Sequence, residues 1–181
     1  MTFPSDIPYL AVDPGWNDTG WCLWWKGRVH LSGEIKIWGN DGDRLYRLSA
    51  YIRAIVSKTS ARFCAVELPP VGAKHRAVRE VAGARYAVLI GCHGTAYFNV
   101  PVPTWKSTFG RDISGLKGTD SRQYRQRVEE ICGAKPSSDN VADAMAIAWC
   151  VDKWLAGDVR LAGAKAFVEK LEEAWLKNGK K

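Results

Sequence analysis

Residues 10–25, LAVDPGWNDTGWCLWW, decide how the chain is read. An apolar run, Tyr9-Leu10-Ala11-Val12, carries one acid, Asp13, into Pro14-Gly15, and Gly20 opens a second run, Trp21-Cys22-Leu23-Trp24-Trp25. Two strand-like segments across a short link rich in Gly and Asn predict a β-hairpin. Asp13 then sits at the inner end of a strand whose other side chains are apolar. A charge in that place costs free energy unless it is paired or holds a cation. An Asp that simply caps the turn beside Pro-Gly is an equally good reading of this stretch taken alone.

Beyond the hairpin, Arg28 to Trp38 alternates as a third strand antiparallel to the second. Asn40-Asp41-Gly42-Asp43 breaks the pattern and offers helix caps; Arg44 to Lys58 follows with Leu45, Leu48, Ile52, Ile55 and Val56 at helical spacing. Arg62 to Glu67 is a short apolar strand that again ends in an acid, and Pro69-Pro70 stops it. Ala73 to His93 predicts a long helix with Val78, Ala82, Tyr86, Leu89 and Ile90 inward. Ala96 to Val102 is a further strand, placed at a sheet edge by Pro101. Thr104 caps a short helix, Trp105 to Phe109, before a basic loop, Gly110 to Gly118, that contains Arg111 and Lys117. Ser121 to Cys132 is a polar, Arg-rich helix, and Ser137 or Ser138 caps an alanine-rich one from Asp139 to about Leu155. Leu161 to Leu176 is a last amphipathic helix. With no repeat and no linker, residues 1–181 read as one domain in which 158–181 form a helical C-terminal extension. The class is α/β: three antiparallel strands, then parallel strands, in a mixed sheet with helices on both faces.

Lys and Arg number 26 against 19 Asp and Glu, a formal net charge of +7, which favours a polyanionic partner, nucleic acid before anionic membrane. The five cysteines are odd in number and far apart, with no CxxC, so buried reduced thiols are expected rather than a structural zinc site or a disulfide framework. No run reaches the roughly 20 apolar residues of a membrane span. The first residues lack a signal-peptide apolar block, and the expectation is a cytoplasmic protein.

Asp13 and Glu67 each terminate a buried strand, and if those strands are adjacent their acidic ends lie side by side. Two uncompensated carboxylates there raise at least one pKa, which a divalent cation with a preference for hard oxygen ligands, Mg²⁺ or Mn²⁺, relieves. A third acid fits on the helix that begins Asp139-Asn140-Val141-Ala142-Asp143, whose alanines allow close approach to the sheet. At about 100° per residue, Asp139 and Asn140 flank the direction of Asp143, so all three can face one site. Each acid also has an ordinary role open to it: Asp139 as a first-turn helix charge, Asp143 on a solvated face, Glu67 as a strand end. Asp143 fits its ordinary role least, because it is embedded in the apolar run ADAMAIAWC. Trp16, in the loop beside Asp13, is placed to stack on an unpaired base, whereas the other tryptophans of the hairpin suit packing.

DPGWNDTGW (13–21), AVELPP (65–70) and VADAMAIA (141–148), in that order, resemble the RuvC-type Holliday junction resolvases of the RNase H-like superfamily. VAGARYAVLIG on the long helix and VPTWKSTFG before the third acid extend the resemblance, which spans about residues 9 to 150. It implies an RNase H-like fold and an endonuclease that nicks branched DNA, whether four-way junctions, flaps or forks, with two divalent ions per site. Carried over by position, it implies that Asp13, Glu67 and Asp143 are metal ligands and that Asn140 stands at a fourth ligand position, where the family usually has Asp or His and where Asp139 is the substitute. It further implies that Lys106, Lys117, Lys74 and Arg76 contact DNA, and that the helix 73–93 pairs with its copy in a homodimer. Besides Asn140, two features depart from the pattern: Leu68-Pro69-Pro70 stands where cellular resolvases carry an aromatic, and the nine tryptophans are unusual while the segment from about Asp158 has no counterpart. These suggest a relative of the phage type, in a bacterial or phage-infected cell. Two other functions fit parts of the sequence. An actin-like or sugar-kinase-like phosphotransferase shares the DxG and TG elements, although such proteins need a second phosphate loop and a longer chain. A non-catalytic branched-DNA-binding module fits the uncharged Asn140.

Overall fold

In the computed structural model, which describes residues 6–68, 75–112 and 121–157 together with positions 169 and 173, the predicted hairpin becomes the centre of a five-stranded sheet. Strands β1 (Tyr9–Asp13), β2 (Asp18–Trp25) and β3 (Arg28–Lys36) form an antiparallel meander. Its second turn is two residues, Lys26 and Gly27, both at positive φ (52° and 72°), the geometry that matches the twist of paired strands. Strand β4 (Phe63–Leu68) joins the other side of β1 in parallel, and β5 (Ala96–Pro101) joins β4 in parallel, giving the order β3-β2-β1-β4-β5. The Pro101 strand is thus at an edge, as predicted.

Among the described residues the sheet is covered by α1 (Asp41–Thr59), α2 (His75–Gly91), α3 (Val102–Asp112), α4 (Ser121–Cys132) and α5 (Asp139–Leu155). Helix α1 starts three residues before the predicted Arg44, because Asn40 Oδ1 accepts from the Asp43 amide at 3.0 Å and caps it. Ser138 caps α5 in the same way, its Oγ accepting from the Val141 amide. Helix α3 is longer than the Trp105–Phe109 turn predicted for it. It runs straight off β5, with Pro103 in its first turn, where a missing N–H leaves no bond unmade. Of the predicted basic loop, Gly110 to Asp112 are helical, while Lys117 lies outside the described residues. Most of 158–181 does too; Glu169 and Glu173 are helical and exposed.

Alternation along the strands divides the core into two layers. Tyr9, Ala11, Cys22, Trp24, Phe63, Ala65, Phe98 and Val100 point to the side covered by α3, α4 and α5. Leu10, Val12, Leu23, Cys64 and Val66 point to the side covered by α1 and α2. All five cysteines are buried thiols inside these layers, none of them in a disulfide among the described residues. Among the described residues, no helix is long and apolar enough to cross a membrane.

Helix α2 corrects the sequence reading. Tyr86 and Ile90, predicted inward, are 61% and 57% exposed, while Ala84, Ala87 and Val88 are buried. The helix carries two apolar stripes, and it packs through the one with small residues because α1 lies very close. A methyl group on Gly91 would come within 2.7 Å of Ile52 Cβ and of the Ser49 carbonyl, and one on Gly83 would press on Trp16 and Leu45. Large side chains are therefore left on the outer stripe. The side chain of Val78 lies outside the described residues.

Gly20 does the same for α5. A Cβ there would stand 2.0 Å from the Asn140 carbonyl oxygen and 2.8 Å from the Val141 nitrogen, both backbone atoms that cannot swing aside. Gly20→Ala is expected to push the start of α5 off the sheet and to cost about 1–3 kcal/mol, the range for overpacked cores. Urea unfolding checks this, and an unchanged midpoint would mean that α5 is seated otherwise.

Candidate metal centre

Parallel pairing of β1 with β4 matches Tyr9 with Phe63 and continues in step to Val12 with Val66. One further step sets Asp13 level with Glu67, both beyond the last apolar pair and both on the side that carries Tyr9, Ala11, Phe63 and Ala65. Helix α5 crosses that side, and Asp143 is the partly exposed residue in its otherwise buried run from Val141 to Ala148. The three acids, each brought by a different element, lie near enough for Glu67 and Asp143 to act on Asp13, and Asp143 on Glu67.

Their electrostatics follow from that placement. Burial, then the facing Glu67 and Asp143 carboxylates, hold the Asp13 carboxyl well above the usual carboxylate range. Burial and Asp143 push Glu67 up to about 6, against the opposing pull of a hydrogen bond from Trp105 and of Lys106. Asp143 is also raised, chiefly by burial, while a hydrogen bond from Tyr124 and the charge of Lys106 act the other way. Lys106, exposed on α3 with its Nζ 5.1 Å from the Trp105 ring centre, is thus a cation that all three acids feel.

Among the described residues no group of three acids, histidines or cysteines stands close enough to hold a metal ion as placed. The acids form an open cluster. Its donor chemistry fits a hard divalent cation: the three side chains offer only carboxylate oxygens, and each acid is held above its usual pKa by burial and by like charge, which a bound cation would reverse.

Other residues singled out in the sequence are placed differently. Asn140 lies in the first turn of α5, three residues before Asp143, but its Nδ2 donates to the Asp18 carbonyl (3.1 Å) and to Glu34 Oε1 (3.4 Å), on the β2–β3 side. Asp139 pairs with Arg125 at 3.1 Å, at the surface. Trp16 is half-buried between Gly83 of α2 and the Arg44 guanidinium, which lies 5.1 Å from its ring centre, and Arg44 also donates to Asn17 Oδ1. The hairpin loop is thereby anchored to both helices of the opposite layer. Lys74 lies outside the described residues, and Arg76 is described only as part of α2.

Two residues at the site went unnoticed in the sequence. Trp105 Nε1 donates to Glu67 Oε2 at 3.0 Å, and Tyr124 donates its hydroxyl to Asp143 Oδ1 at 2.6 Å. A signal existed for Tyr124. It shares a stripe with Val128, Ile131 and Cys132 at intervals of four, seven and eight, so the one aromatic of a polar helix had to face inward.

A mixed sheet with the order β3-β2-β1-β4-β5, acids at the ends of its two central strands and a third acid on the helix crossing them, is an RNase H-like arrangement. Within that class the chain is similar, in both sequence and fold, to RuvC-type resolvases. No protein-family model matches it. It is 29% identical over 155 residues to the crossover junction endodeoxyribonuclease RuvC of Chloroflexus aggregans, covering 78% of this chain and 90% of that protein. It is 26% identical over 174 residues to the protein of the same name from Parvibaculum lavamentivorans, covering 89% and 95%. Its fold matches that of T. thermophilus RuvC, solved in complex with a Holliday junction substrate, with a TM-score of 0.68 at 19% identity, over 83% of this chain and 96% of that one. It also matches the yeast mitochondrial Holliday junction resolvase, with a TM-score of 0.57 at 11% identity, over 92% and 88%.

Proposed function

We propose that this chain is a divalent-metal-dependent, structure-specific endonuclease that nicks branched DNA, four-way junctions among its substrates and flaps and forks as others. The observation that carries the reading is the meeting of Asp13, Glu67 and Asp143 from three elements, with Lys106 at their edge. The two curated relatives, both crossover junction endodeoxyribonucleases by name, support it, and so does the charge of +7.

In this reading the three carboxylates hold Mg²⁺ or Mn²⁺, two ions per site. Asn140 supplies at most its amide oxygen, since its nitrogen is committed to Asp18 and Glu34. When bound, such ions supply Lewis-acid stabilisation of phosphoryl oxygens and a water of lowered pKa. The chain's own residues do the rest. Rigid strand ends fix Asp13 and Glu67, α5 seated on Gly20 fixes Asp143, and the exposed ammonium of Lys106 neutralises an incoming phosphate. Lys117, Lys74, Arg76 and Trp16 complete the DNA contacts in this proposal. The place of action is the cytoplasm.

The same proposal includes a homodimer through helix 73–93, supported by the outward stripe of Ala82, Tyr86 and Ile90, of which the two large residues are more than half exposed. An Ile90→Glu substitution is expected to shift the sedimenting species toward the monomer. A wild-type chain that sediments as a monomer at micromolar concentration would remove the dimer from the proposal.

The decisive experiment incubates a labelled four-way junction, a flap and a linear duplex with the protein, with and without Mg²⁺ or Mn²⁺. Nicking of the branched substrates only when metal is present is expected, with binding that weakens steeply as salt rises, because phosphate contacts release counterions. Junction binding without any nicking in either metal would instead make the chain a branched-DNA-binding module.

A further inference from the structure

Two acids of the cluster each have one oxygen committed to a neutral donor from another element. Tyr124 of α4 holds Asp143 Oδ1 at 2.6 Å, and Trp105 of α3 holds Glu67 Oε2 at 3.0 Å. Both donors are themselves well fixed. Trp105 is 2% exposed, and Tyr124 packs against the core beside it. With Lys106, Phe109 and Gly110 they line a cavity of about 240 Å³ that reaches Asp143, so the two donors and one of the acids share a single recess. A carboxylate rotates about its last bond unless something holds an oxygen. The choice of donor matters as much as its presence. An arginine or lysine at hydrogen-bond distance would cancel the charge that draws a cation, whereas a phenol and an indole fix direction and leave the charge in place.

We infer that Tyr124 and Trp105 are positioning residues for a bound divalent cation, each fixing one oxygen of a carboxylate so that its other oxygen is presented to the metal. The inference rests on the metal-binding reading above. Hydrogen-bonded partners of ligating carboxylates characteristically change metal affinity by about 10–100-fold when removed.

Tyr124→Phe deletes a single hydroxyl and keeps the ring that packs the core. The test is titration of Mn²⁺ into DNA-free protein by calorimetry, alongside thermal unfolding without metal, for the wild type, Tyr124→Phe, Trp105→Phe and Asp143→Asn. The expected result is a Mn²⁺ Kd raised about 10–100-fold in Tyr124→Phe, with the metal-free melting temperature nearly unchanged. Trp105→Phe should weaken Mn²⁺ in the same direction, although it also lowers the melting temperature by shrinking a buried side chain. A wild-type Kd in Tyr124→Phe while Asp143→Asn loses Mn²⁺ would overturn the positioning role and leave the metal site standing. A lowered melting temperature with an unchanged Kd in Trp105→Phe would make that residue a packing element only and overturn its share. A wild type that binds no Mn²⁺, or an Asp143→Asn variant that binds it normally, would overturn the metal reading and this inference together.

Discussion

Asp13→Asn should lower nicking of a four-way junction by about 10³-fold while junction binding stays within a few-fold of wild type. The substitution keeps shape and volume, and Asp13 is tied into the sheet through backbone pairing with Gly20, so the strand has no reason to move. What it removes is one of three negative charges that converge from β1, β4 and α5. Stabilisation of phosphoryl charge by a bound metal amounts to several kcal/mol, and a thousandfold loss is about 4 kcal/mol of barrier. DNA affinity draws on a different set of groups, the lysines and arginines, and should therefore survive. Single-turnover cleavage and a gel-shift titration on the same preparation separate the two quantities. Wild-type nicking by the variant in Mg²⁺ would show that Asp13 is not a metal ligand.

The second expectation concerns stability without metal. Glu67 has a folded-state pKa of about 6 against an ordinary value of 4.5. The folded chain thus binds this proton more tightly than the unfolded chain does. The resulting stabilisation is complete below the unfolded value and is lost as pH rises from about 4.5 through about 6. The shift corresponds to about 2 kcal/mol at 1.36 kcal/mol per pKa unit. Asp13, raised well above its usual range for the same reasons, adds a loss of the same sign. In EDTA the protein should therefore become easier to unfold across this window, and Mg²⁺ should restore more stability above pH 6 than near pH 4.5. Urea unfolding at a series of pH values checks it, with Glu67→Gln as the reference, since that variant cannot titrate at the site. Parallel pH profiles for wild type and Glu67→Gln would show that burial and the Asp143 charge do not raise Glu67 in this way.

How much of this was legible beforehand differs from element to element. The hairpin, the acid-terminated strands and the capped α5 are local features, written in alternation of period two, in Pro-Gly and in a Ser before an alanine-rich run. The resemblance of DPGWNDTGW, AVELPP and VADAMAIA to RuvC-type resolvases then tied the acids to one another, and the sequence and fold comparisons agree with it. Helix α2 was misread for a physical reason. A helix with two apolar stripes does not announce which one is buried, and the choice fell to Gly83 and Gly91, which let α1 come closer than any larger side chain would allow.

By itself, the sequence determined where the strands and helices run, which acids end in apolar surroundings, and that the chain carries excess positive charge. Those properties depend on neighbours a few residues apart and on composition. Only the tertiary structure decided that Asp13 stands level with Glu67, because the register of two parallel strands 54 residues apart is set by packing over the whole sheet. It alone also turned the Asn140 amide toward Glu34 and brought Tyr124 and Trp105 onto the two outer acids. Hydrogen bonds between elements this distant in the chain form only once the sheet has fixed both partners in space.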